Sequence, residues 1–314
     1  MGVEMVIAIT GANGFVGGHI ADYLEHTKHL KIKRITRVDT GDLVSPTIKT
    51  DWLDGVDIIV HTAAALYAKR WPNDTEPSDT EIERIQRINS DGAANIAKAA
   101  SAKGVKRFIF ISCAHVYGRS ANGALTEDAE LLPTNLHAAC KMDAERRLIE
   151  LIETHGMEVI ILRPPLIYGP LVKANFRAMI KLADLGVPLP FSALVEQRSY
   201  CYVYNLADAI FKCALNEHCW NEVYNIADGQ PLSIHQLSQN ISRALGRQPV
   251  SFYLPKWLMK ALLVMLGKRH IIEALCKPLV LDTTSIQQAL SWQPPFTTGQ
   301  GLTEMIKWYK EHKK

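Results

Sequence analysis

VIAITGANGFVGGHIADYL, residues Val6 to Leu24, joins a short apolar run to a helical pattern through three glycines. Val6 to Ile9 reads as a buried parallel strand, and Ile20 and Leu24 fall on one face of the helix that follows. Gly11 allows a tight turn, Gly14 lets the backbone approach a pyrophosphate, and Gly17 lets the helix pack closely on the strand. The helix start aims free N–H groups and a partial positive charge at the phosphates. Asn13, Phe15 and Val16 complete this candidate cofactor loop. Its GxxGxxG spacing is one residue wider at the first step than GxGxxG, yet a strand before it and a helix after it make dinucleotide binding the expectation.

At 314 residues the chain is long enough for one large domain or two modest ones, and 47% hydrophobic with 21% charged residues suits a globular protein. A net charge of +3 is too mild to predict nucleic-acid binding, and the basic tail from Lys307 reads as a solvated helix end. Six cysteines form no CxxC pair and no metal spacing, so reduced, packed thiols in a cytoplasmic protein are expected, with no metal site. No signal peptide or spanning segment is expected. The apolar stretch Trp257–Leu266 is too short to cross a bilayer and carries Lys260. It could lie on a membrane surface; the reading preferred from sequence is a helix covering the protein's own core.

Residues 32–38 alternate as a second strand, and Asp39 follows where an acid would accept the ribose hydroxyls of NAD. Arg37 nearby could instead hold the 2′-phosphate of NADP, and Asp42 beside Leu43 competes for the adenosine side. DIIVH (57–61) is a third strand, ending at the small residues Thr62, Ala63 and Ala64. A loop spans 69–80, a long amphipathic helix spans about 81–103, and FIFIS (108–112) is a strand. A helix over 136–154 and the strand EVIIL (158–162) follow. Short strands at 201–204 and 223–226 flank a helix over 206–214, and the rest reads as mainly helical. Gly11, Ala63, Ser112 and Pro164 all follow strand ends, so they converge on one crevice.

TGANGFVG, DGVDIIVHTAA, FISCAHVYG, RPPLIYGP and NLADAI together resemble the extended short-chain dehydrogenase/reductases across nearly the whole chain. VKANFRAMIKLADLGVPLPF with Arg198-Ser199 is similar to bacterial nucleotide-sugar 4-epimerases and 4-ketoreductases, which serve surface polysaccharide synthesis. The resemblance implies a Rossmann-type doubly wound α/β sheet over residues 1–163 and about 201–228. A smaller, mainly helical substrate domain would comprise 164–200 and 229–314. It implies NAD or NADP as cofactor, a UDP-sugar reacting at C4, and a homodimer through the helices near 81–103 and 136–154. Asn175 would lie beside the substrate diphosphate and Arg198 would pair with a phosphate; capping of a helix is the alternative role for Asn175. Pro164 would shape the nicotinamide pocket, and Lys141 would hold the nicotinamide ribose.

The catalytic pattern departs from the family. Members carry Ser or Thr, Tyr and Lys with a supporting Asn. Here Tyr-x-x-x-Lys falls on His137 to Lys141, the hydroxyl position falls on Cys113 with Ser112 before it, and Asn89 fits the supporting place. A cation one helical turn away lowers an imidazole pKa and favours the neutral ring at pH 7. Three readings follow: an active oxidoreductase or epimerase using His137, a catalytically degenerate NAD(P)-binding regulatory protein, or a reductase of a steroid-like or lipid-like ketone. The first is preferred, because Asn89 and Lys141 are retained.

Overall fold

The computed structural model describes residues 5–43, 48–65, 78–118, 123–218, 221–265, 267 and 276–313, with the backbone alone at 155, 174 and 175. Six parallel strands form the central sheet: β1 (Val6–Thr10), β2 (Lys31–Ile35), β3 (Ile58–His61), β4 (Arg107–Ile111), β5 (Glu158–Arg163) and a late strand, Glu222–Asn225. Their order is β2-β1-β3-β4-β5 with the late strand beside β5. The chain leaves β1 to one side and returns on the other side at β3. That reversal opens a crevice at the carboxyl ends of β1 and β3.

The inner strands are apolar on both faces because helices cover both. Ile7, Ile9, Ile109 and Leu162 pack with α1 (Phe15–Asp22) and a helix over Val203–Leu215. Phe108, Phe110, Val159 and Ile161 face α4 (Gly92–Ala102) and α5 (Leu136–His155) on the other side. Between β2 and α4 lie the short helix α2 (Arg37–Thr40) and α3 (Asp79–Gln86). Gly156 ends α5 in the left-handed region, as a glycine after a helix should.

The rest of the chain builds a third core. Tyr168, Phe176, Tyr200, Tyr202, Leu237 and Met305 meet there, from strand pair Leu166–Tyr168 with Tyr200–Tyr202 and from helices including Ala174–Asp184, Ile234–Ala244 and Thr298–Glu311. Asp228 pins this unit: it accepts from Tyr168 Oη at 2.7 Å, from Tyr202 N at 2.8 Å and from Asn205 Nδ2 at 2.7 Å.

Several sequence expectations shift. The strand expected over 32–38 stops at Ile35, because Thr36 and Asp39 make a capping box that starts α2. The helix expected from 81 to 103 begins at Asp79 and contains a π turn at Arg87–Asp91, which rotates Asn89 inward. Of the two late strands, only Glu222–Asn225 joins the main sheet; Tyr200–Tyr202 pairs with Leu166–Tyr168 instead. The loop expected over 69–80 lies largely outside the described residues. The apolar helix near the end, Lys256–Met265, buries only Met259 fully, so it does not simply cover the core.

Candidate active site

The three glycines divide their roles. Gly11 has φ +73° and donates its N–H to Ile35 O at 3.0 Å; a Cβ there would lie 2.8 Å from Ala63 Cα. Gly17 faces inward, where a Cβ would meet Gly11 O and Thr62 Oγ1 at 2.5 Å. Gly14 caps the loop by donating to Gly11 O at 2.8 Å and is the exposed glycine that lines the cleft. Asn13 is exposed, whereas Phe15 and Val16 turn half-buried side chains toward the cores, leaving their helix-start backbone for a ligand. Thr62 Oγ1 donates to Thr10 O at 2.7 Å and so fastens β3 to the loop.

A cleft of about 390 Å³ runs from Gly11 and Gly14 across Thr62, Ala63 and Ala64 to Arg37, Asp42 and Leu43. Asp39 is not on it. Its carboxylate accepts from Thr36 N and Thr36 Oγ1, both at 2.8 Å, and those bonds hold it below the usual carboxylate range. Asp39 thus caps α2 at the end of β2, beside the cleft where the ribose role was expected of it. Arg37 lines the rim and bridges to Asp42 at 3.1 Å, both side chains open to solvent.

At the other end of the crevice, α5 carries His137 and Lys141 on one face, with Asn135 capping the helix through Ala138 N at 2.9 Å. Lys141 is buried. Its Nζ donates to Ile111 O at 2.7 Å and sits 4.4 Å from the centroid of Phe110, and burial lowers its pKa to about 8. His137 Nδ1 is buried with no partner among the described residues, and burial, then Lys141 and His115, push the imidazole pKa down to about 4. The ring is neutral at pH 7. Cys113 lies beside Lys141, and burial pushes its thiol up to about 11, so it stays protonated.

Two candidates have other partners. Ser112 Oγ donates to Glu145, which also holds Arg163 at 2.6 Å; Arg163 donates to Tyr117 Oη at 2.8 Å, and Tyr117 donates to Asn225. The Ser112 hydroxyl, a catalytic candidate from sequence, thus belongs to a buried network. Tyr117 is held there too. Glu145→Ala would strand the Arg163 charge, so a loss of about 3–5 kcal/mol in chemical denaturation is expected; a change below about 1 kcal/mol would contradict the network's role. Asn89 spends its amide on Ala65, accepting from Ala65 N at 2.6 Å and donating to Ala65 O at 2.8 Å. It ties the crevice wall after β3 to the π turn of the helix, where the supporting part was expected of it.

Pro164 O accepts from Ala114 N at 2.8 Å, which locks the turn after β5 to the segment carrying Cys113. Arg198 is buried and donates to Lys277 O; among the described residues no carboxylate pairs with it. Burial lowers its pKa, and its neighbour Tyr200 has a buried hydroxyl with no partner among the described residues. Asn175 is the second residue of its helix, but its side chain lies outside the described residues; Lys173 holds the cap position.

Sequence reasoning missed two histidines. His61 ends β3 with Nδ1 2.8 Å from Thr10 Oγ1, its ring stacked on Phe108 and Phe110 at 5.7 and 5.9 Å, and its Nε2 unpartnered. Burial and then Lys141 push its pKa down to about 3. The signal was a polar residue closing the apolar run DIIVH. His115, half-buried near Arg198 and His137, also has a lowered pKa, and it stood unused in CAHVYG.

Residues 7–227 match the family described as "Epimerase: NAD dependent epimerase/dehydratase family". A UDP-glucose 4-epimerase of Vibrio cholerae is 31% identical over 312 residues, covering 95% of this chain and 93% of that protein. An N-acetyl-alpha-D-glucosaminyl-diphospho-ditrans,octacis-undecaprenol 4-epimerase of Escherichia coli O157:H7 is 25% identical, covering 98% of this chain and 96% of its own. Among solved structures, RMD from Pseudomonas aeruginosa complexed with NADPH superposes with a TM-score of 0.77 at 22% identity, covering 98% of this chain and 100% of that one.

Proposed function

Because the chain belongs to the NAD dependent epimerase/dehydratase family, an extended short-chain dehydrogenase/reductase group, we propose that it moves a hydride between a nicotinamide dinucleotide and C4 of a nucleotide sugar, with His137 handling the hydroxyl proton. The observation that carries this reading is the partnerless, buried Nδ1 of His137 one turn before the buried Lys141. A neutral imidazole accepts the proton released as an alcohol is oxidised, and returns it when the ketone is reduced. The family's cofactor supplies the hydride acceptor. The glycine loop and the cleft beside Thr62, Ala63 and Ala64 fit its pyrophosphate and adenosine.

Lys141 has two roles in this proposal. Its ammonium adds to burial in keeping His137 neutral, and it would bind the nicotinamide ribose. Cys113 supplies a thiol that can donate only weakly, so the substrate hydroxyl depends mainly on His137. Arg198 supports the nucleotide-sugar assignment: a buried guanidinium without a carboxylate is costly until an anion reaches it, and a diphosphate is a fitting one. The named substrates of both relatives share a sugar carried on a diphosphate. Asn175 belongs to the same proposed subsite. A cytoplasmic setting, a homodimer through α3–α4 and α5, and a product destined for surface polysaccharide complete the reading.

A panel of UDP-sugars and UDP-4-keto-sugars with NADH and NADPH tests this function. Turnover of at least one pair is the expected result; tight cofactor binding with no turnover of any sugar would favour the degenerate, regulatory reading. For the cofactor, Arg37 lines the rim of the cleft while the Asp39 carboxylate is engaged by Thr36, which supports a 2′-phosphate at this rim. Arg37→Ala is expected to weaken NADPH binding by about tenfold while leaving NADH within about twofold. Equal effects on both would remove Arg37 from the 2′ site.

A further inference from the structure

The helix Lys256–Met265 is apolar on two opposite faces, and the fold uses only one of them. Met259 is buried and Leu263 packs beside it against Leu194 and Ile234. Trp257, Ala261, Val264 and Met265, spaced i, i+4, i+7 and i+8, make one stripe on the other side. Trp257 is 70% exposed, Val264 53% and Met265 76%, and Tyr253 just before the helix is 71% exposed. Singly exposed apolar residues are ordinary, but a stripe this continuous with two aromatics at its edge marks a contact surface.

We propose that this stripe seats the protein on an anionic lipid surface, as a helix lying in the headgroup plane without crossing the bilayer. The charge pattern selects this occupant. The helix carries Lys256 and Lys260 and no acid; Lys256 is engaged by Glu196, leaving Lys260 exposed along the flank of the stripe. A lysine there can lay its alkyl stem on the apolar surface and present its ammonium to a lipid phosphate. Tyr253 and Trp257 have the mixed apolar and polar character that favours the membrane interface. A two-fold contact between copies of this helix would instead bring the two Lys260 side chains together with no acid on either helix to offset them. Among the described residues no helix is long and apolar enough to cross a membrane, which agrees with a peripheral contact. The inference is independent of the proposed reaction.

Sedimentation with vesicles of phosphatidylglycerol mixed into phosphatidylcholine, against phosphatidylcholine alone, tests it on the full chain. Wild type is expected to bind the mixed vesicles, to be released by raised salt, and to bind the neutral ones far less. Val264→Asp with Met265→Asp should cut binding at least about tenfold with an unchanged melting curve, since both side chains are exposed. Lys260→Glu, which leaves the apolar stripe intact, should also weaken binding and flatten its salt dependence, so the test does not hang on the folding of the double variant. Absence of wild-type binding, or binding undiminished in both variants, would overturn the proposal. So would conversion of a dimer to a monomer by the same substitutions without any vesicle binding, because the stripe would then be an interface between copies.

Discussion

His137→Phe is expected to lower turnover by about 10²–10⁴-fold, the usual contribution of a positioned acid or base, with cofactor affinity within a few-fold of wild type. The ring fills a similar space and keeps its packing, while the nitrogen that faces no protein partner is removed. The pH dependence follows from the same site. With the folded-state pKa near 4, the imidazole is already neutral at pH 6 and above, so sugar oxidation should not fall as pH drops from 7 to 6. The loss should set in only as protonation of His137 is approached. Steady-state kinetics across that range check both points. A rate limb near an ordinary histidine pKa of about 6.5 that persists in His137→Phe would mean that His137 is not the titrating base; one that disappears with the variant would mean that burial does not depress the imidazole.

Gly11→Ala is expected to abolish measurable dinucleotide binding and to cost at least about 2 kcal/mol of stability. Two causes add at this position. The backbone sits at φ +73°, a region that strains any residue with a Cβ, and that Cβ would meet Ala63 Cα and Ala63 N at 2.8 Å. Both contacts are main-chain atoms of the segment after β3, so relief requires the crevice wall itself to move. Calorimetric titration with NADH and NADPH, with thermal melts of the same samples, measures the two effects. Retention of wild-type affinity would remove the loop from the cofactor site. Gly14→Ala should be milder, since its Cβ would meet only Gly11 O, at 3.1 Å.

The contrast between these two positions shows what could be read from residues alone. The glycine spacing and the apolar strands follow local rules: a turn needs positive φ, and a strand covered on both faces needs a continuous apolar run. Those rules placed β1, β3, β4 and β5, the crevice, and the helix bearing His137 and Lys141. What local rules could not supply was partner choice across long sequence separations. Ser112 bonds to Glu145, 33 positions away, and Asn89 to Ala65, 24 positions away, after a π turn; Asp39 bonds to Thr36 in a capping box that stood in the sequence but went unread. Each has the right side chain for chemistry, and each meets a nearer demand first. Conversely, His61 and His115 look like ordinary members of a strand and a turn, and only the fold brings His61 within the field of Lys141 and His115 close to His137. Departures from simple periodicity are where sequence reading runs short: helix α3 continues into α4 through a turn with an extra residue, and the helix Lys256–Met265 keeps an apolar face outward.

The central claim is that the bound dinucleotide is used, with His137 and Lys141 completing a redox site. Incubation of the enzyme and its cofactor with a UDP-sugar deuterated at C4, followed by mass spectrometry of sugar and nicotinamide, tests that claim most directly. The account predicts deuterium passing from C4 to the nicotinamide and, in an epimerase, returning to C4 of the product. Cofactor that stays bound and unlabelled while every sugar is recovered unchanged would contradict it.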